Sequence, residues 1–320
     1  MDPVSRSAPL ARATWILLLV MLVACAALAW DGGFSLAAGR AAPLLLACLL
    51  LAGAWQGGRK RALPWLDAAA LAFLQMTLFT VIGVVLAYVT AARAGPVWDG
   101  WLAAADRALG IDWSRWLFAL DRQPALVVLL GVAYHSLPLQ MVAAILLLTH
   151  HRRLGTMQVL VTAAIASGFV TILVAAVLPA RGNLFDPRQF AHLWPSIAWR
   201  ERDLIEGLRN GSYRRLDLTM LMGIVSFPSF HATLAALFIW AGRGLGIAGR
   251  GLGLLAGLTI AATPAFGGHY AVDVLAGLAL APPAVALAVW LARLDAPPRS
   301  TARPSRGPAH APEAFGAEPC

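Results

Sequence analysis

Eight apolar segments with few or no charged side chains limit how this chain can fold. A helix needs about 20 mostly apolar residues to cross a bilayer, and lipid offers no partner to unpaired backbone N–H and C=O groups. The predicted fold class is therefore all-α, a polytopic membrane helix bundle with about eight transmembrane helices. The segments are Trp15–Trp30, Ala41–Trp55, Trp65–Thr90, Ala125–Thr149, Met157–Leu178, Ser229–Ala241, Leu252–Phe266 and Tyr270–Leu294.

Composition supports a membrane protein and argues against nucleic-acid binding. The chain is 59% hydrophobic and 13% charged, whereas soluble globular proteins carry about 25% charged residues. The net charge of +9 comes from basic residues beside apolar segments, where they act as topology signals. Two cysteines lie inside apolar segments and Cys320 is the last residue. This pattern predicts neither a disulfide framework nor a metal site.

The loops divide into two kinds, which predict the topology. Short basic loops follow the second, fourth and sixth segments, for example at Arg59–Arg61, and such loops stay cytoplasmic. The longer loops 92–123 and 179–228 mix acidic and basic residues, and loops of this kind can be translocated. Both termini are therefore predicted to be cytoplasmic, and the two long loops extracytoplasmic.

Three regions are predicted. Residues 1–64 form two extra N-terminal transmembrane helices, and residues 65–294 form a six-helix membrane domain. The Pro-, Ala- and Arg-rich tail 295–320 is predicted to be a disordered cytoplasmic segment. Segment 97–121 carries tryptophans and charges at helical spacing, so it is either an interfacial helix or a covering loop. The first apolar segment ends in a sequence similar to a signal-peptidase site; an uncleaved helix is the simpler interpretation and cleavage the alternative.

A first polar motif stands at the start of the sixth apolar segment, at Ser226–His231. Pro228 suits the first turn of a helix, which would make Ser226 or Phe227 the cap. The N–H groups of Ser229 and the next two residues would then form an anion seat at the positive end of the helix dipole. His231 adds a group that exchanges a proton near neutral pH.

A second polar motif opens the eighth segment. His269 and Asp273 are four residues apart and so share one helix face. The carboxylate can accept the imidazole Nδ1–H, which leaves Nε2 free to attack. An acid inside an apolar segment is costly unless it is paired, and His269 supplies that partner. Gly267 and Gly268 remove side chains where a substrate would approach.

Each feature also has a structural explanation when taken alone. A histidine at a helix end is often an interfacial residue, a serine there is often a cap, and a buried Asp–His pair can be purely structural. Together they place two histidines, a serine and an aspartate at two helix starts on one predicted side, which favours function. Zinc fits poorly, because no third imidazole or thiolate joins the pair at ligand spacing.

These motifs resemble those of a known family, the type 2 phosphatidic acid phosphatase (lipid phosphate phosphatase) superfamily. The form is most similar to its inositol-phosphorylceramide-synthase-like, or inositolphosphotransferase, branch. Weaker similarity to bacterial members of that branch appears at residues 106–113 and 133–136, so the resemblance covers about residues 66–293. The motifs that carry it are Pro228-Ser229-Phe230-His231 and Gly268-His269-Tyr270-Ala271-Val272-Asp273-Val274-Leu275-Ala276-Gly277.

The resemblance implies a phosphatase-like six-helix core and a role for each motif residue. His269 would be the nucleophile, Asp273 would orient it, and His231 would protonate the leaving oxygen and then activate the acceptor. Ser229, with Gly268 and nearby N–H groups, would hold the phosphate oxygens. No cofactor or metal is implied.

The resemblance also implies partners and a location. The partners would be membrane lipids and a lipid phosphate or phospholipid headgroup donor, with no nucleic acid and protein partners left unidentified. The location would be the bacterial inner (plasma) membrane, with the active site extracytoplasmic.

The chain departs from the superfamily pattern at two phosphate-binding cations. The first motif normally carries Lys and Arg, but Lys60 is on the wrong predicted side. The third motif normally has Arg six residues before its histidine, where this chain has Thr263. Arg181 is the predicted substitute, because an arginine binds phosphate through a bidentate fork. Arg209, Arg214 and Arg215 are further candidates or, alternatively, solvated loop residues.

Three polar residues inside the fourth segment, Tyr134, His135 and Gln140, either line the cavity from below or join helices to one another. The predicted function is a membrane-embedded lipid phosphate phosphatase or phospho-headgroup transferase working through a phosphohistidine. The sequence leaves hydrolase and transferase open, since they differ only in whether water or an alcohol attacks the intermediate. The alternative from another class is a non-catalytic transporter or scaffold with a pseudo-site.

Overall fold

The computed structural model describes residues 7–37, 40–93 and 95–294. Within that part the protein is a helix bundle, which confirms the all-α class. The predicted disordered tail, 295–320, lies outside the described residues. The helices are α1 (Ser7–Asp31), α2 (Ala42–Lys60), α3 (Pro64–Ala91), α4 (Asp99–Ala108), α5 (Trp113–Asp121), α6 (Pro124–His135), α7 (Leu137–His150), α8 (Leu154–Val177), α9 (Ile197–Asn210), α10 (Phe230–Ala241), α11 (Gly246–Ala262) and α12 (Ala271–Leu294).

Every predicted apolar segment is helical, but the helices differ in length. Among the described residues, five helices are long and apolar enough to cross a membrane. The count rises to six if α5 and α6, which are bent by 108° to each other, form one broken span. The fourth predicted segment is divided at Ser136 into α6 and α7, because Pro138 cannot donate a backbone hydrogen bond in mid-helix. The spans are Leu10–Asp31, Pro64–Ala91, Leu154–Val177, Gly246–Gly267 and Ala271–Arg293.

Helices α3, α8, α10 and α12 form the centre of the bundle. Helix α8 packs against α3, α10 and α12, and α1 packs against α3 and α8. The hydroxyls of Thr14 in α1 and Thr162 in α8 lie 2.7 Å apart in this buried contact. The N-terminal helix therefore joins the central helices directly.

Segment 97–121 is helical and comprises α4 and α5; its position on a membrane surface stays a prediction. Three aspartates of this segment accept hydrogen bonds from backbone N–H groups elsewhere. Asp99 accepts from Arg181 and Gly182, and Asp106 accepts from Ala271 and Val272 at 2.8 and 3.0 Å. Asp121 likewise accepts from residues 191–193. The segment therefore holds both the long loop 179–228 and the start of α12.

Loop 179–228 folds over this end of the bundle. It contains a 3₁₀ turn at Pro187–Gln189, then α9, then strand β2 (Arg215–Leu216). Strand β2 pairs in parallel with β1 (Ser35–Leu36). Helix α9 starts at the cap Ser196, whose Oγ accepts from Trp199 N, and it ends at Gly211 in the left-handed conformation. It packs against α3 and against the π-helical turn Thr263–Gly267.

Candidate active site

The starts of α10 and α12, which carry the two polar motifs, are in direct contact. The backbone N–H of Ser229 donates to the backbone oxygen of Asp273 at 2.9 Å. One turn further in, Thr233 Oγ1 donates to Gly277 O at 2.8 Å. A Cβ on Gly277 would lie 2.1 Å from Ser229 O, so only glycine allows this approach. The two motifs, which the sequence places at helix starts on one predicted side, therefore meet.

The predicted start of α10 is wrong by two residues. The helix begins at Phe230 and its cap is Ser229, whose Oγ accepts from Ala232 N. Pro228 therefore precedes the helix, and the N–H of Ser229 is already bonded to Asp273. Side-chain capping by Ser229 outweighs the preference of proline for the first turn. Only the N–H groups of Phe230 and His231 remain for an anion seat at this helix start.

His269 and Asp273 form the predicted pair. His269 Nδ1 lies 3.3 Å from Asp273 Oδ2, and both side chains are buried. The same oxygen accepts from Tyr270 N and from Ser226 Oγ, each at 3.0 Å. With the carboxylate as acceptor, the imidazole carries its proton on Nδ1 and presents Nε2 as a lone pair. The carboxylate therefore fixes both the tautomer and the ring orientation.

His231 stands beside this pair but does not bond to it. The ring centroids of His231 and His269 are 6.4 Å apart, which is too far for a direct hydrogen bond between the imidazoles. Tyr134 stacks on His231, with centroids 4.4 Å apart and planes 9° from parallel. This stacking fixes the plane of the His231 ring. A gap therefore separates the two imidazoles.

Both imidazoles line one small cavity of about 20 Å³, here called the histidine cavity. Arg181, Ser226 and Gly267 line it as well, and α9 contributes Ala198, Glu201 and Ile205. A second, mainly apolar cavity of about 30 Å³, lined in part by α3 and α8, shares Arg181 and Ser226 with the first. The arrangement therefore joins a polar pocket with two histidines to an apolar recess between helices.

The sequence model of the PAP2 superfamily matches residues 100–287, more than half of the chain. The chain belongs to the PAP2 superfamily. Members of this superfamily are phosphatases. Family membership therefore supports a phosphoric ester hydrolase in general terms, in an integral membrane protein. Searches of curated proteins and of solved structures found no significant match.

The phosphate-binding residues predicted for this PAP2-superfamily protein are only partly brought together. Arg181 lines the histidine cavity, whereas Ser229 and Gly268 do not. Ser229 is fully buried as the α10 cap. Gly268 adopts a φ of +73° and accepts from Asn183 N at 2.6 Å, so it connects loop 179–228 to the turn before α12. Phosphate contacts by Ser229 and Gly268 stay predictions.

Among the four arginines considered as replacements for the PAP2 motif cations, Arg181 is the one that lines the histidine cavity. Its Nη2 pairs with Glu206 at 3.0 Å, and its buried Nε has no hydrogen-bond partner within residues 7–37, 40–93 and 95–294. Arg209 lines the apolar recess and donates to Gly95 O. Arg214 bonds to backbone oxygens of Leu208 and Tyr213, and Arg215 is exposed in β2. Thr263, at the missing-arginine position, donates to Thr259 O of α11.

The three polar residues of the fourth segment have different surroundings. Tyr134 lines the histidine cavity, which was one of the two interpretations for these residues. Gln140 donates to Thr259 Oγ1 at 2.8 Å and so joins α7 to α11. His135 is exposed and lies near Trp194, with ring centroids 6.4 Å apart.

Sequence reasoning missed two features of the PAP2 site. Ser226, a candidate cap in the sequence, donates to the Asp273 carboxylate. Glu201, an acid of the mixed loop 179–228, is 3% exposed and lines the histidine cavity. A signal for Glu201 was present, since Ile197 and Ile205 place position 201 in the apolar stripe of α9.

Proposed function

We propose that this protein transfers a phosphoryl group or a phosphorylated headgroup from a membrane lipid through a phosphohistidine on His269. The observation that carries the proposal is the His269–Asp273 pair, which presents Nε2 in the cavity shared with His231. The Nδ1–H to carboxylate bond keeps Nε2 unprotonated and therefore nucleophilic. His231, across a gap of 6.4 Å between centroids, is placed for proton transfer.

The proposed reaction has two steps. In the first, His269 Nε2 forms a bond to phosphorus while the bond from phosphorus to the leaving oxygen breaks, and His231 gives its proton to that oxygen. In the second, an acceptor O–H attacks phosphorus, its proton passes to His231, and the phosphorus–nitrogen bond breaks. Negative charge grows on the non-bridging oxygens in both steps, and Arg181 is the cation positioned to stabilise it.

The acceptor is water for a hydrolase and an alcohol for a transferase. Membership of the PAP2 superfamily supports water. The motif form similar to the inositol-phosphorylceramide-synthase-like branch supports an alcohol. The substrate is proposed to be a lipid, because the histidine cavity adjoins an apolar recess lined by Ala87 and Ala91 of α3 and Ala175 of α8.

The site is proposed to face the extracytoplasmic side of a bacterial inner membrane, with both termini in the cytoplasm. Short basic loops at the opposite end of the bundle support this orientation. A single cysteine at exposed Ser212 or exposed Arg61, in a chain with its native cysteines changed to alanine, tests it. An impermeant maleimide should label S212C and not R61C in intact cells, and the reverse labelling contradicts the topology.

One experiment tests the chemistry. Purified protein is incubated with a panel of lipid phosphates, phosphodiesters and alcohol acceptors, and both free phosphate and new lipids are measured. Brief incubation with a phosphorus-labelled substrate, followed by a denaturing quench, should trap an acid-labile, alkali-stable label on the wild-type chain and not on His269→Ala. A non-catalytic transporter or scaffold predicts neither products nor label.

A further inference from the structure

Glu201 is a buried acid on the side of the histidine cavity that is formed by loop 179–228, here called the loop side. It lies in α9 between Ile197 and Ile205 on the face that packs inward, and it is 3% exposed. An acid at such a position is rare unless it is paired or bound to something. Its Oε1 is buried and has no hydrogen-bond partner among the described residues. The packing of α9 alone therefore does not account for a carboxyl group at this position.

The surroundings of Glu201 are those of the proposed phosphate site. It shares one small cavity with both imidazoles and with Arg181, whose guanidinium is already paired with Glu206. Arg200, its neighbour in α9, is exposed. Burial raises the pKa of Glu201 to about 9, and Arg200 only partly opposes this shift. The side chain therefore carries an O–H at neutral pH.

We propose that Glu201 binds substrate by donating a hydrogen bond from its neutral carboxyl group to a phosphate oxygen, in place of one of the missing motif cations. This inference rests on the proposed function. An ionised carboxylate in the same place would repel the phosphate, whereas a neutral one offers a donor without adding charge. Arg181 and neutral Glu201 then contact the phosphate from the loop side, opposite the histidines.

Other titratable groups near Glu201 must be separated from it in any pH experiment. The substrate itself is one, but the second ionisation of a phosphomonoester falls near pH 6, so its charge is constant above about pH 7. The protein groups are Tyr134 of α6, Arg181 of loop 179–228, Arg200 of α9, His231 of α10, His269 before α12, and Tyr88 of α3.

The test compares Glu201→Gln, which keeps a donor that does not titrate, with Glu201→Ala, which has none. Asp203→Asn is the matched control, because it removes an acid from the same helix at a side chain that is 84% exposed. Purified full-length variants in phosphatidylcholine vesicles are assayed with diacylglycerol phosphate from about pH 8 to about pH 10, where the phosphate groups of substrate and inhibitor are both doubly ionised. The readouts are KM, kcat and inhibition by inorganic phosphate.

Glu201→Ala should raise KM and the inhibition constant for phosphate about tenfold, the loss of one hydrogen bond to a charged group. Wild-type protein and Asp203→Asn should bind phosphate more weakly as pH rises through about 9, whereas Glu201→Gln should bind it equally at all these pH values. The proposal is overturned if Glu201→Ala binds like wild type. It is also overturned if Glu201→Gln is as weak as Glu201→Ala, or if it keeps the alkaline loss.

The result also separates this inference from the proposed function. If the wild type turns over substrate and both Glu201 variants do so equally well, Glu201 has no such role and the phosphohistidine proposal stands. Absence of turnover and of trapped label in the wild type removes both. Thermal unfolding of each variant in detergent shows whether a loss of activity comes from unfolding. The glutamine of Glu201→Gln has nearly the same volume as glutamate, so this variant should remain folded.

Discussion

The two sides of the histidine cavity differ in how their polar groups are satisfied. On the side of α10 and α12, one oxygen of Asp273 accepts from Ser226, His269 and Tyr270. On the loop side, Arg181 Nε and Glu201 Oε1 are buried and have no hydrogen-bond partner in the part of the chain that the structure describes. Buried polar atoms are nearly always hydrogen-bonded, so those without a partner call for an explanation. The polar groups beside α10 and α12, here called the helix side, are preorganised by hydrogen bonds. The polar atoms of the loop side are available to bond a ligand.

One polar atom on the helix side also lacks a hydrogen bond: Asp273 Oδ1 is buried and has no partner among the described residues. This atom differs from the two on the loop side, because Asp273 does not line the cavity. A bound phosphate would therefore reach Arg181 and Glu201 but not Asp273. The comparison predicts that changes on the helix side reduce the rate of the chemical step, and that changes on the loop side weaken binding.

The largest effect is expected for His269→Ala, which removes the proposed nucleophile. Phosphate release or headgroup transfer should fall by at least about 10⁴-fold, as when the nucleophile of a catalytic triad is removed. Reconstituted protein with a saturating lipid substrate gives the rate. His151→Ala, at an exposed position between α7 and α8, should match wild type. Turnover that persists in His269→Ala at normal membrane abundance would sink the phosphohistidine mechanism.

Asp273→Asn should follow, with a loss of about 10³- to 10⁴-fold in kcat. An amide there can offer an N–H to His269, which favours the tautomer with its lone pair on Nδ1 and its proton on Nε2. The imidazole would keep its position and lose its nucleophilicity. KM should change little, since Asp273 does not line the cavity. A variant that loses binding and keeps kcat would show that the helix side serves the substrate rather than the chemistry.

Arg181→Ala tests the loop side and should act mainly on KM, by about 10²-fold, as expected for loss of a charge-assisted contact. Arg181→Lys should recover only part of the loss, because an ammonium group lacks the bidentate fork. Arg215→Ala, an exposed arginine in β2, is the matched control. Equal losses in the Arg181 and Arg215 variants would mean that general positive charge, not a cation in the cavity, attracts the substrate.

The sequence predicts the helix side better than the loop side for a physical reason. His269 and Asp273 are four residues apart on one helix, so helical geometry alone brings them together. Arg181 and Glu201 meet the histidines only because α9 folds back over the bundle. Asp99 accepts from Gly182 N at the start of this loop, and Asp106 accepts from Ala271 N at the start of α12, so both contacts join residues far apart in the sequence. No local pattern reveals the position of Arg181, whereas Glu201 lies in the apolar stripe of α9, which indicates its burial but not which groups it contacts.

The start of α10 shows the same limit at short range. Both Pro228 and Ser229 have helix-start preferences, and local rules alone do not rank them. The contact between Ser229 N and Asp273 O, made possible by Gly277, fixes Ser229 as the cap. Tertiary contact therefore places the cap at Ser229 rather than at the predicted Ser226 or Phe227, and Ser226 donates to the Asp273 carboxylate instead.

Ser226→Ala should give the smallest effect and sharpens the comparison most, because Ser226 bonds to Asp273 and also lines the cavity. Its hydroxyl is one of three donors to Asp273 Oδ2. Loss of one such bond should lower kcat about tenfold, the equivalent of about 1.4 kcal/mol, because the remaining two still hold the carboxylate. Ser212→Ala, at an exposed loop position, should leave both constants unchanged. If Ser226→Ala instead raises KM with kcat intact, Ser226 belongs with Arg181 on the loop side, and the two sides meet between Ser226 and the start of α10 at Phe230.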